Sequence, residues 1–115
     1  MEKHLNTWLV GLSVEIGGTE MMVYYLVSAT DLALAEAGVM DMGRTWWENG
    51  KALHEGYSWR WPQGDVWFNS IILPDDVENS TLRDLKFPDA WTVTSTTDAP
   101  VLRDAWGNDW RDITR

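Results

Sequence analysis

The chain contains no cysteine, which excludes disulfide scaffolds, thiol nucleophiles, cysteine-ligated zinc and iron–sulfur clusters together. That absence fits a reducing compartment, and the expected location is the cytoplasm. Basic residues are also scarce: nine Lys and Arg stand against 18 Asp and Glu, for a formal net charge of −9. Affinity for nucleic-acid phosphates rests on Lys and Arg displacing counterions, so direct binding of DNA or RNA is not expected. No apolar run approaches the roughly 18 residues of a membrane span. The opening Met1-Glu2-Lys3-His4 lacks the basic start and apolar core of a signal peptide.

Catalytic signatures are missing too. There is no P-loop, Rossmann turn, nucleophile elbow or His-Glu-x-x-His site, and the two histidines are His4 and His54. His54 is followed by Glu55, but sequence neighbours point apart in helices and strands, so the two do not form a base with its orienting carboxylate. Asp75, Asp76 and Glu78, or Asp104, Asp109 and Asp112, offer oxygen ligands without the spacing of a calcium loop. No cofactor and no metal are expected.

What the chain has in excess is tryptophan: nine in 115 residues, within a composition that is 44% hydrophobic. A chain this apolar can offset its ordering entropy and fold. Residues 1–115 are read as one domain with one core, with 108–115 as a tail. The acids are spread evenly, eight against four bases in residues 1–64 and ten against five in 65–115, with a local cluster only at Asp75-Asp76-Val77-Glu78.

Trp8, Val10, Leu12, Val14 and Ile16 alternate with Thr7, Gly11, Ser13 and Glu15, the period of a half-buried strand. Gly17-Gly18 supplies a tight turn to a second strand over Thr19–Ser28. That turn sets Trp8 opposite Val27, Val10 opposite Tyr25, Leu12 opposite Val23, Val14 opposite Met21 and Glu15 opposite Glu20. Ser28 then caps a helix from about Thr30 whose face is Leu32, Ala35, Val39, Met42 and Trp46, with a break expected near Gly38 or Gly43.

Tyr57, Trp59 and Trp61 alternate with Ser58 and Arg60, and Pro62-Gln63-Gly64-Asp65 is a turn signal before a return strand over Val66–Leu73. A turn at Gln63-Gly64 sets Trp59 opposite Phe68, Trp61 opposite Val66, and Arg60 over Trp67 as a cation–π pair. A short helix from Asn79 or Ser80 to Lys86 and a strand over Ala90–Thr97 follow. Asp98 and Pro100 start a last helix ending near Trp106-Gly107. The fold class is α+β: an antiparallel sheet of two hairpins and a later strand, with one principal helix on a face.

Trp8 and Trp91 lie in core-strand patterns. Trp46-Trp47 and the set Trp59, Trp61 and Trp67 hold more rings than one core face accepts, so some reach the surface, where Trp is a binding hot spot. Trp106 and Trp110 flank Gly107-Asn108-Asp109, a pattern suited either to ligand contact or to a C-terminal segment pinned over the core. The expected function is a non-enzymatic, acidic protein-binding module for a partner with a basic surface. Trp47, Arg60, Trp67, Asp75, Asp76, Glu78, Trp106 and Trp110 are its partner-binding residues, the acids steering and the rings anchoring. Its specific form is a phage or mobile-element inhibitor occupying the basic surface of a host nucleic-acid-handling protein. Three alternatives stand beside it: a carbohydrate-binding module using Trp59, Trp61, Trp67, Trp106 and Trp110; a small hydrolase using Asp75 and Asp76; and a homo-oligomeric structural or virion-assembly subunit.

Overall fold

Gly17 and Gly18 both adopt left-handed φ, 58° and 85°, as the centre of a tight hairpin requires. They join β1 (Asn6–Ile16) to β2 (Thr19–Ala29) in the predicted register, from Trp8 opposite Val27 to Glu15 opposite Glu20. The computed structural model describes residues 4–47, 51–85 and 89–113. After the hairpin come α1 (Leu32–Arg44), β3 (Leu53–Glu55), β4 (Ser58–Arg60), β5 (Asp65–Ile72), α2 (Asp76–Leu85), β6 (Asp89–Ser95), β7 (Pro100–Arg103) and α3 (Trp110–Ile113). The strands form one seven-stranded sheet in the order β3-β4-β5-β1-β2-β6-β7, antiparallel except for the β2–β6 pair. The α+β class is as predicted.

The alternation of β1 decides where the core sits. Trp8, Val10, Leu12 and Val14 face α1, together with Tyr25 and Val27 of β2, Trp59 and Val66 of the second hairpin, and Trp91, Val93 and Leu102 beyond β2. Trp8 and Trp91 are buried, as their strand patterns require.

The start of α1 differs from expectation by one cap. Asp31, with φ −153°, accepts the backbone N–H of Leu34 at 2.8 Å, whereas Ser28 stays in β2 with its hydroxyl 2.7 Å from that of Thr7. A carboxylate beside the first turn complements the helix dipole better than a hydroxyl already engaged across the sheet. Leu32 therefore lies on the solvent side. Neither glycine breaks the helix: a Cβ on Gly38 would stand 2.5 Å from Val93 Cγ2, and one on Gly43 would overlap the six-membered ring of Trp59. Both are sites of close approach.

Gly43→Ala therefore has two opposed effects. Helix propensity would gain about 1 kcal/mol, but overpacking against a ring that is 1% exposed costs about 1–3 kcal/mol, and more when nothing can move aside. Denaturant unfolding is expected to show a net loss of stability; a gain would mean that Trp59 does not pack there.

The second hairpin is displaced from its predicted register. Trp59 faces Val66, Ser58 faces Trp67 and Arg60 faces Asp65, while Trp61 and Gly64 exchange backbone hydrogen bonds of 2.8 and 3.3 Å. The turn is thus centred on Pro62-Gln63, because proline pre-sets the φ of the first central turn position. Gly64 is needed instead for close approach, since a Cβ there would strike the Glu15 carbonyl oxygen. The Arg60–Trp67 cation–π pair is consequently not formed.

Downstream, α2 begins at Asp76, ahead of the predicted Asn79, and its expected end at Lys86 lies outside the described residues. The largest correction is at Pro100–Arg103, which is an edge strand paired with β6 and not a helix. Pro100 occupies the first position of that edge, where no ladder N–H is required of it. The expected tail is in part core: Trp110 opens α3 and is 4% exposed.

Candidate functional site

Between β7 and α3 the chain makes a loop organised by one carboxylate. Asp104 Oδ1 accepts the backbone N–H groups of Trp106 and Asn108, each at 2.9 Å, and Oδ2 accepts the Asn108 side-chain amide at 3.0 Å. The Asp104 N–H donates to the Asn108 carbonyl at 3.0 Å, and the Gly107 N–H donates back to the Asp104 carbonyl at 3.1 Å. Gly107 takes φ 83° and an Arg103–Asp109 bridge closes the base. At the tip of this loop Trp106 is 86% exposed.

The Asn108 side-chain hydrogen bond, followed by the backbone N–H groups of Asn108, Trp106 and Gly107, holds the Asp104 carboxyl below its ordinary value of 3.8. A depressed folded-state pKa means that the order contributed by Asp104 is present above the unfolded value and is lost as pH falls through the lower folded one. The Trp106 indole N–H resonance is therefore expected to hold its position from neutral pH down to about 4 and to shift only in stronger acid. Movement between pH 5 and 7 would show that Asp104 does not order the loop.

The loop is fixed from behind by Trp110. Its Nε1–H donates to Thr45 Oγ1 at 2.9 Å, and its ring meets Tyr25 and Trp91 edge-on with centroids 5.6 and 5.2 Å away, with Trp46 at 5.8 Å. Thr45 Oγ1 in turn donates to the Asp41 carbonyl at 2.7 Å. Burial, and then the charge of Asp89, pushes the Tyr25 hydroxyl well above its usual pKa, so it stays neutral. Asp41, 2% exposed, pairs with Arg44 of its own helix and with Arg111 Nη2 at 3.0 Å, which ties α3 to α1.

The predicted partner-binding residues separate into groups. Trp106 is presented to solvent and Trp110, four residues on, belongs to the core. Trp47 is half-buried against Trp46 and Trp61, with centroids 6.2 and 6.1 Å away. Asp75 and Glu78 form a capping box at the start of α2: Glu78 N–H donates to Asp75 Oδ1 at 2.8 Å and Asp75 N–H to Glu78 Oε1 at 3.1 Å. Asp76 is exposed in that first turn. Arg60 is exposed, and Trp67 is half-buried on the far side of the sheet from these residues' helix-covered neighbours. Of the five rings in the carbohydrate-binding set, Trp59, Trp61 and Trp110 are buried, which leaves Trp67 and Trp106.

Sequence reasoning missed Asp41 and the role of Asp104. An acid one residue before Met42 of the apolar helix stripe was the available signal for the first. For the second it was an Asp followed at short range by Gly107 and Asn108, the residue types that accept a carboxylate-centred turn. A groove of about 350 Å³ beside Asp41 is lined in part by Arg44, His54 and Asp98. Both Asp41 oxygens are already held by guanidinium groups, so this carboxylate is not free to act as a base. Among the described residues no group of three or more His, Asp or Glu could hold a metal ion, and no helix is long and apolar enough to cross a membrane. Comparison with family models, with curated proteins and with solved structures returns no match for this chain.

Proposed function

We propose that the protein is a non-enzymatic binding module that engages a basic protein surface, with Trp106 as its anchor. The observation that carries this reading is a fully presented indole on a loop whose backbone is already fixed by Asp104. An exposed ring of this size is costly to leave hydrated, and pre-ordering removes part of the entropy that an anchor loses on binding. The net charge of −9 would attract a Lys- and Arg-rich partner and repel acidic ones. A nucleic-acid-handling protein presents such a surface, and a phage or mobile-element inhibitor would use the module by occupying it.

The test is selection of a random-peptide display library against the immobilised wild-type protein, with Trp106→Ala as the counter-target. Enrichment of Lys- and Arg-rich sequences that are lost at high salt and are captured far more weakly by the variant supports the reading. Enrichment of neutral or acidic sequences, or equal capture by both forms, contradicts it.

A further inference from the structure

The face of the sheet turned away from α1 carries an ordered pattern near the β1–β2 turn. Register places Arg60, Asp65, Glu15 and Glu20 side by side across β4, β5, β1 and β2. The next row on the same face is Ser58, Trp67, Ser13 and Met22, and beyond it lie Gly11 and Tyr24. Alternation fixes this assignment, since Val14, Val66 and Trp59, the neighbours of these residues, are buried beneath α1.

Three features make this more than a solvated face. Carboxylates directly opposite one another on adjacent strands repel, yet among the described residues Glu15, Glu20 and Asp65 have no ion pair: those present join Asp41 to Arg44 and Arg111. Beside the row, Ser13, Glu20, Trp67, Phe68 and Asn69 line an open groove of about 440 Å³. The groove is also built. The register of β1 against β5 shifts between Gly11 and Leu12, leaving Asn69 as the extra residue of a bulge. Its amide donates to Ser13 Oγ at 3.0 Å. Ser13, only 3% exposed, donates to the thioether sulfur of Met22, a weak acceptor. Gly11 lies beside this group, where a Cβ would stand 2.9 Å from Ser70 Oγ and 3.1 Å from Met22 Cε. Met22 and Tyr24 remain exposed beside it.

We infer that this face is a second docking surface, for an arginine-bearing segment of the partner. The segment's guanidinium groups would stack on Trp67 and pair with Glu15 and Glu20. The occupant follows from charge complementarity: three unpaired carboxylates against one arginine, next to a ring whose face attracts cations. Binding would also relieve the repulsion along the row. The inference extends the proposed preference for basic partners, but it uses residues remote in sequence from the Trp106 loop and stands or falls separately.

The experiment is an NMR titration of the full chain with an octa-arginine peptide, following the indole N–H of Trp67 and the amides of Ser13 and Asn69, with octa-glutamate and maltohexaose as parallel probes. Octa-arginine is expected to move these three signals in wild type and in Trp106→Ala. Glu15→Gln or Glu20→Gln is expected to weaken binding about three- to tenfold while raising the melting temperature by about 2–5 °C. Glu36→Gln with Asp98→Asn, an equal or larger charge change on the α1 side, should leave that affinity within about twofold. The inference is overturned if Trp67 does not respond, if the distant pair of substitutions weakens binding as much as Glu15→Gln does, or if maltohexaose moves Trp67 and octa-arginine does not. Failure of the Trp106 reading would appear as an unchanged Trp106 signal, whatever Trp67 does.

Discussion

Replacing Trp110 with alanine is expected to lower folding stability by about 3–5 kcal/mol, the range for truncating a large buried ring. The residue lies close to the C-terminal end of the sequence, where substitutions are usually tolerated, so the size of the effect is diagnostic. Trp110 fills the space between Tyr25, Trp46 and Trp91, and its N–H satisfies Thr45, the residue that ends α1. Removing the ring opens a cavity lined by three aromatics and withdraws a donor from the end of the main helix. Against a total stability of about 5–15 kcal/mol for a domain of this size, that loss approaches the folding threshold. Trp110→Phe should recover most of the packing while omitting the hydrogen bond, at a cost nearer 1–2 kcal/mol. Urea unfolding of the three proteins measures both differences, and a Trp110→Ala loss below about 1 kcal/mol would remove α3 from the core.

Trp106→Ala is expected to do the reverse. With 86% of the residue exposed and the loop held by Asp104 rather than by the ring, stability should change by less than about 0.5 kcal/mol. Affinity for a selected basic peptide should fall by about 30-fold or more, equivalent to the 2 kcal/mol that defines a hot spot. The two tryptophans are four positions apart and of the same type, yet one is packed into the core and the other is presented to solvent. A calorimetric titration in which Trp106→Ala binds within about threefold of wild type would assign the partner contact elsewhere.

The sequence was most legible where one signal stood without a rival. Gly17-Gly18 leaves a single tight turn for the first hairpin, and every pairing in it followed from that turn. In the second hairpin Pro62 and Gly64 competed for the turn. The choice depended on Gly64 meeting the Glu15 backbone, a contact between a turn and a strand far apart in the chain. At Pro100 the cap-and-proline pattern of a helix start was locally sound, but pairing with β6 outweighed it, burying Pro100 and Leu102. The break that the sequence suggests near Gly38 or Gly43 is absent for the same reason: the partners of these glycines, Val93 and Trp59, become visible only once the sheet is assembled.

The candidate site was legible in part. Trp106 followed from composition, and its separation from Trp110 required knowing that the intervening loop turns back at Gly107. In Asp75-Asp76-Val77-Glu78, the densest acidic cluster in the sequence, Asp75 and Glu78 form the capping box of α2 and Asp76 is exposed. The turn at Gly17-Gly18 sets Glu15 opposite Glu20, but their alignment with Asp65 depends on the register of β1 against β5.

One measurement bears most directly on the binding account: the response of the nine indole N–H resonances to a Lys- and Arg-rich peptide selected on the wild-type protein, recorded at low and high salt. The account predicts that the Trp106 signal moves in proportion to the bound fraction, that those of Trp8, Trp59, Trp91 and Trp110 keep their positions, and that the response is lost as salt screens the charges. A peptide that binds while the Trp106 signal stays in place, or a shift that ignores salt, would contradict it.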